Sequence, residues 1–418
     1  MEKVNRQRLQ SLLEQFASFG ATGENGVTRL SLSREDIAAR DKFIEVSEEI
    51  GMSVKVDDMG NLYATLSGKK DMPPIVMGSH LDSVKKGGRF DGTLGVVAGL
   101  EVVRTIVERN IETEHPITVM NFTNEEGARF DPAMMSSGVL AGKFAKEDML
   151  LSADTEGVTF GQALEISGYE GEAGNRLREA AAFVELHIEQ GPVLEHTGEE
   201  IGVVQGVMGM TCCEISLKGE SNHAGTTPIP MRKDPMFAAA QVIVDLQREL
   251  KKLPEDLVYT IGRIQAHPNI HTVIPNEVTF TLEARHTSMD VVRQVERIID
   301  RLPKTLERCE VTSRKLWGRE TVEFDGAVVN AVSETAAELG LRTRNMYSGA
   351  GHDAQFIASY IPTAMIFVPS AKGYSHREDE YTSYEDCAQG ADVLLNTVLK
   401  LDRNASTQEE KVLEEKSV

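Results

Sequence analysis

Long apolar runs are missing from this 418-residue chain: no uninterrupted stretch comes near the ~18 residues that a membrane-crossing helix needs. The opening residues, MEKVNRQRLQ, lack the apolar centre of a secretory signal, so a cytoplasmic protein is expected. Positive charge is short as well, 44 Lys and Arg against 65 Asp and Glu. The resulting formal charge of -21 repels phosphate backbones and anionic bilayers, so neither nucleic acid nor membrane is expected as a partner. Cysteine is scarce: four in all, two of them adjacent (Cys212 and Cys213), which is neither a disulfide framework nor a zinc-ribbon spacing. No cysteine sits in an elbow suited to a nucleophile. A Walker loop, a His-Glu-x-x-His helix and a Gly-x-Ser-x-Gly turn are also missing.

What is present is an ordinary folded composition, 41% hydrophobic and 26% charged, in a chain long enough to divide into domains. Residues 1–206 alternate helical and extended patterns, as a sheet covered by helices on both faces requires. Helices are expected near 6–19, 34–50 and 92–107, and strands at 62–66, 75–79, 117–123 and 183–188. From 207 to 325 the rhythm changes to strand 211–217, helix 235–251, strands 258–266 and 277–286, helix 289–307 and strand 311–316. That is an inserted α+β unit of roughly four strands and two helices. The α/β domain resumes at 326–403, and the charged, aperiodic residues 404–418 are expected to be disordered. An inserted sheet exposes edges, and pairing with a twin covers them, so a homodimer is expected.

Five separated places carry groups fit for metal-assisted hydrolysis: His80 with Asp82, Asp91, Glu125 with Glu126, His187 and His376. Two divalent cations about 3.5–4 Å apart can activate water and polarise a carbonyl, and each needs imidazole and carboxylate ligands. His80, Glu125–Glu126 and His187 follow or end apolar strands, where open α/β sheets place their ligands. Asp82 is placed to hold the His80 imidazole in one tautomer. Asp91 precedes a glycine that permits a tight turn, and its two oxygens can bridge both ions. Neighbouring glutamates on extended backbone point apart, so Glu126 is assigned to metal and Glu125 to proton transfer. Taken singly, each has a plain explanation as a structural histidine, a turn or a solvated face; together they converge on a dinuclear centre.

His80-x-Asp82, Asp91-Gly92, Glu125-Glu126-Gly127 and Ser375-His376 resemble the M20 family of metallopeptidases and amidohydrolases, and the resemblance spans nearly the whole chain up to the tail. The peptidase branches use a carboxylate as the fourth ligand, whereas Glu185-Leu186-His187-Ile188-Glu189-Gln190-Gly191-Pro192 resembles the branch acting on ureido compounds, closest to bacterial L-N-carbamoylases. The resemblance implies metal ligands His80, Asp91, Glu126, His187 and His376, two divalent ions per subunit, and an inserted dimerisation or lid domain. Zinc, manganese, cobalt and nickel all suit such ligands. It further implies that His223, in Ser221-Asn222-His223-Ala224-Gly225, reaches the partner subunit's site to stabilise an oxyanion. Asn276 would make a second lid contact, Arg285 would bind the substrate carboxylate, and Gln190 would meet substrate near the metals. Gly351, in Gly349-Ala350-Gly351-His352-Asp353, belongs to a turn of small residues suited to holding an anion. The expected reaction is hydrolysis of N-carbamoyl-L-amino acids to the amino acid, carbon dioxide and ammonia. Allantoate and N-carbamoyl-β-alanine remain open as substrates, with an N-acyl amino acid amidase or dipeptidase as the more distant alternative.

Overall fold

The computed structural model describes residues 1–403 with their side chains, and the backbone of the last helix, Tyr384–Lys416, beyond them. The expectation for residues 404–418 lies outside the fully described residues. In chain order the strands are β1 (Ser53–Val56), β2 (Leu62–Leu66), β3 (Ile75–His80), β4 (Ile117–Phe122), β5 (Ala182–Ile188), β6 (Ile201–Val207), β7 (Gly209–Lys218) and β8 (Asn222–His223). They continue as β9 (Val258–His267), β10 (Val273–Ile274), β11 (Glu277–His286), β12 (Thr305–Leu306), β13 (Cys309–Arg319), β14 (Val322–Glu323), β15 (Thr343–Ser348) and β16 (Thr363–Val368).

The chain divides into two compact units, Met1–Gly206 with Glu323–Val418, and Val207–Val322. The first is built on a nine-stranded sheet ordered β1-β2-β4-β3-β5-β16-β6-β14, with β15 paired to β6. Its centre, β4-β3-β5-β16, is parallel, and antiparallel strands flank it. Every residue of those four parallel strands is buried, which is why they read as continuous apolar runs instead of alternating ones. Helix Thr93–Glu108 lies against β3, β4 and β5, and helix Tyr384–Lys416 against β5 and β16. The first approaches closely because Gly95 has no side chain: a Cβ there would fall 2.5 Å from the Leu186 carbonyl oxygen and 2.8 Å from the Ser79 Cβ. Parallel strands share one carboxyl edge, and the segments leaving it are the ones that carry His80, Glu125, His187 and His376. These features are the α/β architecture expected from the sequence.

The second unit is a five-stranded sheet, β12-β13-β7-β11-β9, with a separate two-stranded sheet of β8 and β10. Burial alternates along β11, and its inward face packs with helices Pro235–Leu250 and Met289–Asp300 around Ile215, Leu217, Val242, Phe280 and Val295. The helix expected to reach Glu307 stops at Asp300, because Pro303 supplies no N–H to continue it. The residues after it form a hairpin, β12 to β13, whose turn residues Glu307 and Arg308 both have positive φ. Among the described residues no helix is long and apolar enough to cross a membrane.

Candidate metal centre

His80 closes β3 and His187 lies one residue before the end of β5, on neighbouring parallel strands. Each imidazole meets a backbone carbonyl through Nδ1: His80 lies 2.9 Å from the Asp82 oxygen and His187 2.9 Å from the Ile188 oxygen. A carbonyl can only accept, so Nδ1 carries a proton in both rings, and Nε2 is the nitrogen left for a cation or a second proton. Both Nε2 atoms face Asp91 Oδ1, at 3.7 Å from His80 and 3.1 Å from His187. The other oxygen, Oδ2, lies 3.4 Å from His376 Nε2, and that nitrogen is 3.4 Å from Glu126 Oε2. Two triads result, His80–Asp91–His187 and Asp91–Glu126–His376, each with ligand atoms within 4.8 Å of one another and with Asp91 common to both. Asp91 is aimed by the turn that follows it: Gly92 has φ +62, and a Cβ there would fall 2.4 Å from the His80 ring.

Glu125 and Glu126 leave β4 in opposite senses, Glu125 Oε2 at 3.5 Å from His80 Nε2 and Glu126 toward His376. Asn124 makes the turn with φ 58, a left-handed conformation that asparagine tolerates. Asp82 differs from expectation. Its carboxylate is 3.8 Å from His80 Nδ1, too far for a hydrogen bond, and its backbone carbonyl holds the ring instead. The carboxylate accepts the N–H groups of Glu125 (3.2 Å) and Glu126 (3.3 Å), so Asp82 fixes the glutamate turn.

Charge is crowded in this space. Burial, then the neighbouring carboxylates, pushes Glu125 and Glu126 well above the usual carboxyl range, and burial moves Asp82 up to about 7. Burial lowers His80 to about 4. Asp91 goes the other way: burial opposes its charge, but hydrogen bonds with His187 and His376 outweigh it and hold the group well below its ordinary value. His376 rises to about 9 through its bond with Asp91, and His187 also rises to about 9 because that bond outweighs burial. Protons here stabilise a negative cluster that cations could stabilise in their place.

The donor set suits divalent cations on three counts: imidazole and carboxylate ligands, two rings whose Nδ1 is tied to a carbonyl so that Nε2 faces the cluster, and a carboxylate with one oxygen toward each triad. A buried orphan adjoins it, Gln190 Oε1, which has no hydrogen-bond partner. His376 is the exposed member, its side chain 51% accessible, and marks the solvent approach.

The remaining expected site residues fall into two groups. Gln190, at φ 57, donates from Nε2 to Asp91 Oδ2 (2.8 Å) and to Ser375 Oγ (3.2 Å), so its amide nitrogen is engaged by a ligand residue before any substrate arrives. Gly351 lies between β15 and helix Asp353–Ile357, next to His352, whose ring stacks edge-on to His187 at 4.6 Å. His223, Asn276 and Arg285 belong to the second unit. His223 is exposed; its Nδ1 accepts from the N–H of Gly225 (3.0 Å) and Thr226 (3.2 Å), which puts its proton on Nε2 as an outward donor. Strand pairing sets Val273 opposite His223, close in sequence to Asn276. Arg285 sits at the far end of β11, held by Glu283 at 2.7 Å.

Some buried neighbours went unread. Glu185 accepts from Ser79 Oγ (2.6 Å) and the Ala354 N–H (3.3 Å), and Asp353 is bonded by Ser137 while its Oδ2 has no partner. Both lay inside quoted motifs, Glu185 two residues before His187 and Asp353 after the small-residue turn. Glu380 gave no such signal, being part of the acidic run Glu378-Asp379-Glu380.

The sequence signature of peptidase family M20/M25/M40 matches residues 76–400. An N-carbamoyl-L-amino-acid amidohydrolase of Rhizobium meliloti is 40% identical over 404 residues, covering 95% of this chain and 97% of the relative. An allantoate amidohydrolase of Bacillus subtilis is 35% identical over 395 residues, covering 93% and 96%. The crystal structure of a hydantoinase/carbamoylase family amidase from Burkholderia multivorans superposes with a TM-score of 0.89 at 42% identity, over 96% of this chain and 98% of that one. The chain therefore belongs to the M20/M25/M40 peptidase family and is a hydrolase of amide C–N bonds.

Proposed function

We propose that this protein hydrolyses N-carbamoyl-L-amino acids to the free amino acid, carbon dioxide and ammonia, using two divalent ions per subunit. The observation that carries the chemistry is Asp91, one buried carboxylate with an oxygen toward each of two ligand triads. His80, His187 and Asp91 would hold one ion, and Asp91, Glu126 and His376 the other, chosen among zinc, manganese, cobalt and nickel. Such a pair, when bound, lowers the pKa of water and polarises a carbonyl. Glu125 stands beside the first triad without belonging to either, which suits it to take the proton from the attacking water and return it to the leaving nitrogen. Asp82 keeps Glu125 aimed by holding its N–H. The carbamoyl substrate is supported by the Rhizobium meliloti relative at 40% identity, against 35% for the allantoate amidohydrolase, which leaves allantoate as the second reading.

Lid geometry supports a homodimer that shares residues between sites. Asn276 immediately precedes β11 and Arg285 lies one residue before its end, so they stand roughly 30 Å apart at about 3.4 Å per residue. In the substrate, four bonds of about 1.3–1.5 Å keep the carboxylate within ~5 Å of the ureido carbonyl. A single lid does not bring Asn276 and Arg285 to one such molecule, which supports a site that takes them from two lids. The edge strand β9 exposes Val258 and Ile264, and the neighbouring helix exposes Phe237 at 67%, an apolar margin of the kind a second copy covers. Metal analysis followed by ammonia release from carbamoyl amino acids, allantoate and dipeptides tests the reading. Two ions per chain and preferential turnover of the carbamoyl compounds are expected; metal-independent turnover, or preference for dipeptides, overturns it.

A further inference from the structure

We infer that Glu380 is a positioning residue of the metal centre, a single carboxylate that ties the Asp91 turn to the loop carrying His376. The inference rests on the two-ion reading above. In sequence Glu380 ends an acidic run that reads as solvated surface, and Asp379 behaves so, pairing with exposed Arg377, while half-buried Glu378 pairs with exposed Lys86. Glu380 instead is 4% exposed. A buried carboxylate is unfavourable by several kcal/mol unless donors replace its water. Here Oε1 accepts from the backbone N–H of Asp91 (3.2 Å) and Phe90 (3.4 Å), and Oε2 accepts from Ser375 Oγ (3.1 Å). The chain also leaves room for it: a Cβ on Gly88 would fall 1.8 Å from Oε1.

These donors belong to the two segments that must be registered for the second triad. Asp91 and His376 are 285 positions apart in the chain, and their side chains meet at 3.4 Å. Gln190 closes the same ring from the loop after β5, donating to Asp91 Oδ2 and to Ser375 Oγ. Removal of Glu380 takes an anchor from both Asp91 and the Ser375–His376 loop at the second triad, where Gln190 remains, but from Asp91 alone at the first, where His80 and His187 keep their own carbonyl anchors. The effect is therefore unequal between the two ions.

Cobalt(II) bound per chain, measured by elemental analysis of the full-length protein against a competing chelator, reads this directly, with the melting temperature recorded beside it. Wild type is expected to hold two equivalents. Glu380→Ala should retain one and bind the other 10–100-fold more weakly, the range for losing a partner that orients ligands. Glu380→Gln keeps an oxygen for the Asp91 N–H and should lie nearer wild type. Gly88→Ala, which displaces the carboxylate without removing it, should mimic Glu380→Ala and serves if that variant fails to fold. Equal weakening of both ions, unchanged binding of both, or a Glu380→Gln as impaired as Glu380→Ala overturns the assignment. A wild-type protein that takes up no cobalt overturns the two-ion reading instead.

Discussion

If each catalytic site draws His223 and Arg285 from different lids, two inactive proteins should repair one another. Take His223→Ala and Arg285→Ala. Loss of a hydrogen-bond donor aimed at an oxyanion removes roughly 3–4 kcal/mol of transition-state stabilisation, on the order of 100- to 1000-fold in kcat. Loss of the carboxylate's arginine should raise KM and lower kcat/KM by a comparable factor, about 2–5 kcal/mol for one partner of a charged pair. In a heterodimer, one site then contains both substitutions and the other contains neither. A purified heterodimer, isolated through two different affinity tags, should therefore recover about half of the wild-type kcat, and a statistical mixture about a quarter, with wild-type KM. The separation that forces this outcome is the length of β11, Glu277–His286, roughly 30 Å between Asn276 and Arg285. A verified heterodimer no more active than its parents would refute the shared-site reasoning, since the two residues would then serve one site from one lid.

Glu125→Gln should lower kcat by about 100- to 10,000-fold while metal analysis still finds both ions, because Glu125 lies outside the two triads. Asp82→Asn keeps one acceptor for the Glu125 and Glu126 N–H groups and removes a buried charge, so unfolding free energy should change by less than about 2 kcal/mol. Its kcat should nevertheless fall on the order of 100-fold as the glutamates lose their aim, and unchanged turnover would contradict the assignment. For chelated protein the sign of the pH effect follows from His187, raised from 6.5 to about 9 in the folded state. Its stabilisation is complete below pH 6.5 and is lost as pH climbs through 9, with His376 acting in the same direction. The melting temperature of metal-free protein should therefore fall between pH 6.5 and 9 while that of metal-loaded protein does not; a flat metal-free profile would argue against that charge arrangement.

The parallel centre was readable because its strands are buried on both faces, so 75–79, 117–123 and 183–188 stand out as apolar runs that contain or lead into candidate ligands. A polar side chain at the end of such a run has few places to go except the carboxyl edge of the sheet. β16 has the same character, yet no ligand ends it. His376 arrives eight residues later through a loop held at Ser370 and Ser375, and no periodicity announces that loop. The pattern in 207–325 differs because burial alternates along β11, so its apolar residues alternate with polar ones. The overlong helix at 289–307 came from extending an amphipathic pattern past Pro303.

What the sequence could not express is the set of bonds that aim the ligands, because most of them end on backbone. Asp82 lies two residues from His80, and the turn sends its carbonyl to the imidazole and its carboxylate to the N–H groups of Glu125 and Glu126. Glu380 follows the same logic, its carboxylate spent on the N–H groups of Phe90 and Asp91. Every residue but proline carries an N–H, so no spacing of side chains marks which one a buried acid will take. Ligands must be particular residue types and can be found by type; the groups that hold them need only an acceptor in the right place. Exposure is what separates Glu380 from Asp379 beside it, and exposure is decided by the packing of segments far apart in the chain. Two carboxylates in one acidic run thus differ in role by geometry alone, and substitution of Asp379 should leave metal binding untouched where substitution of Glu380 does not.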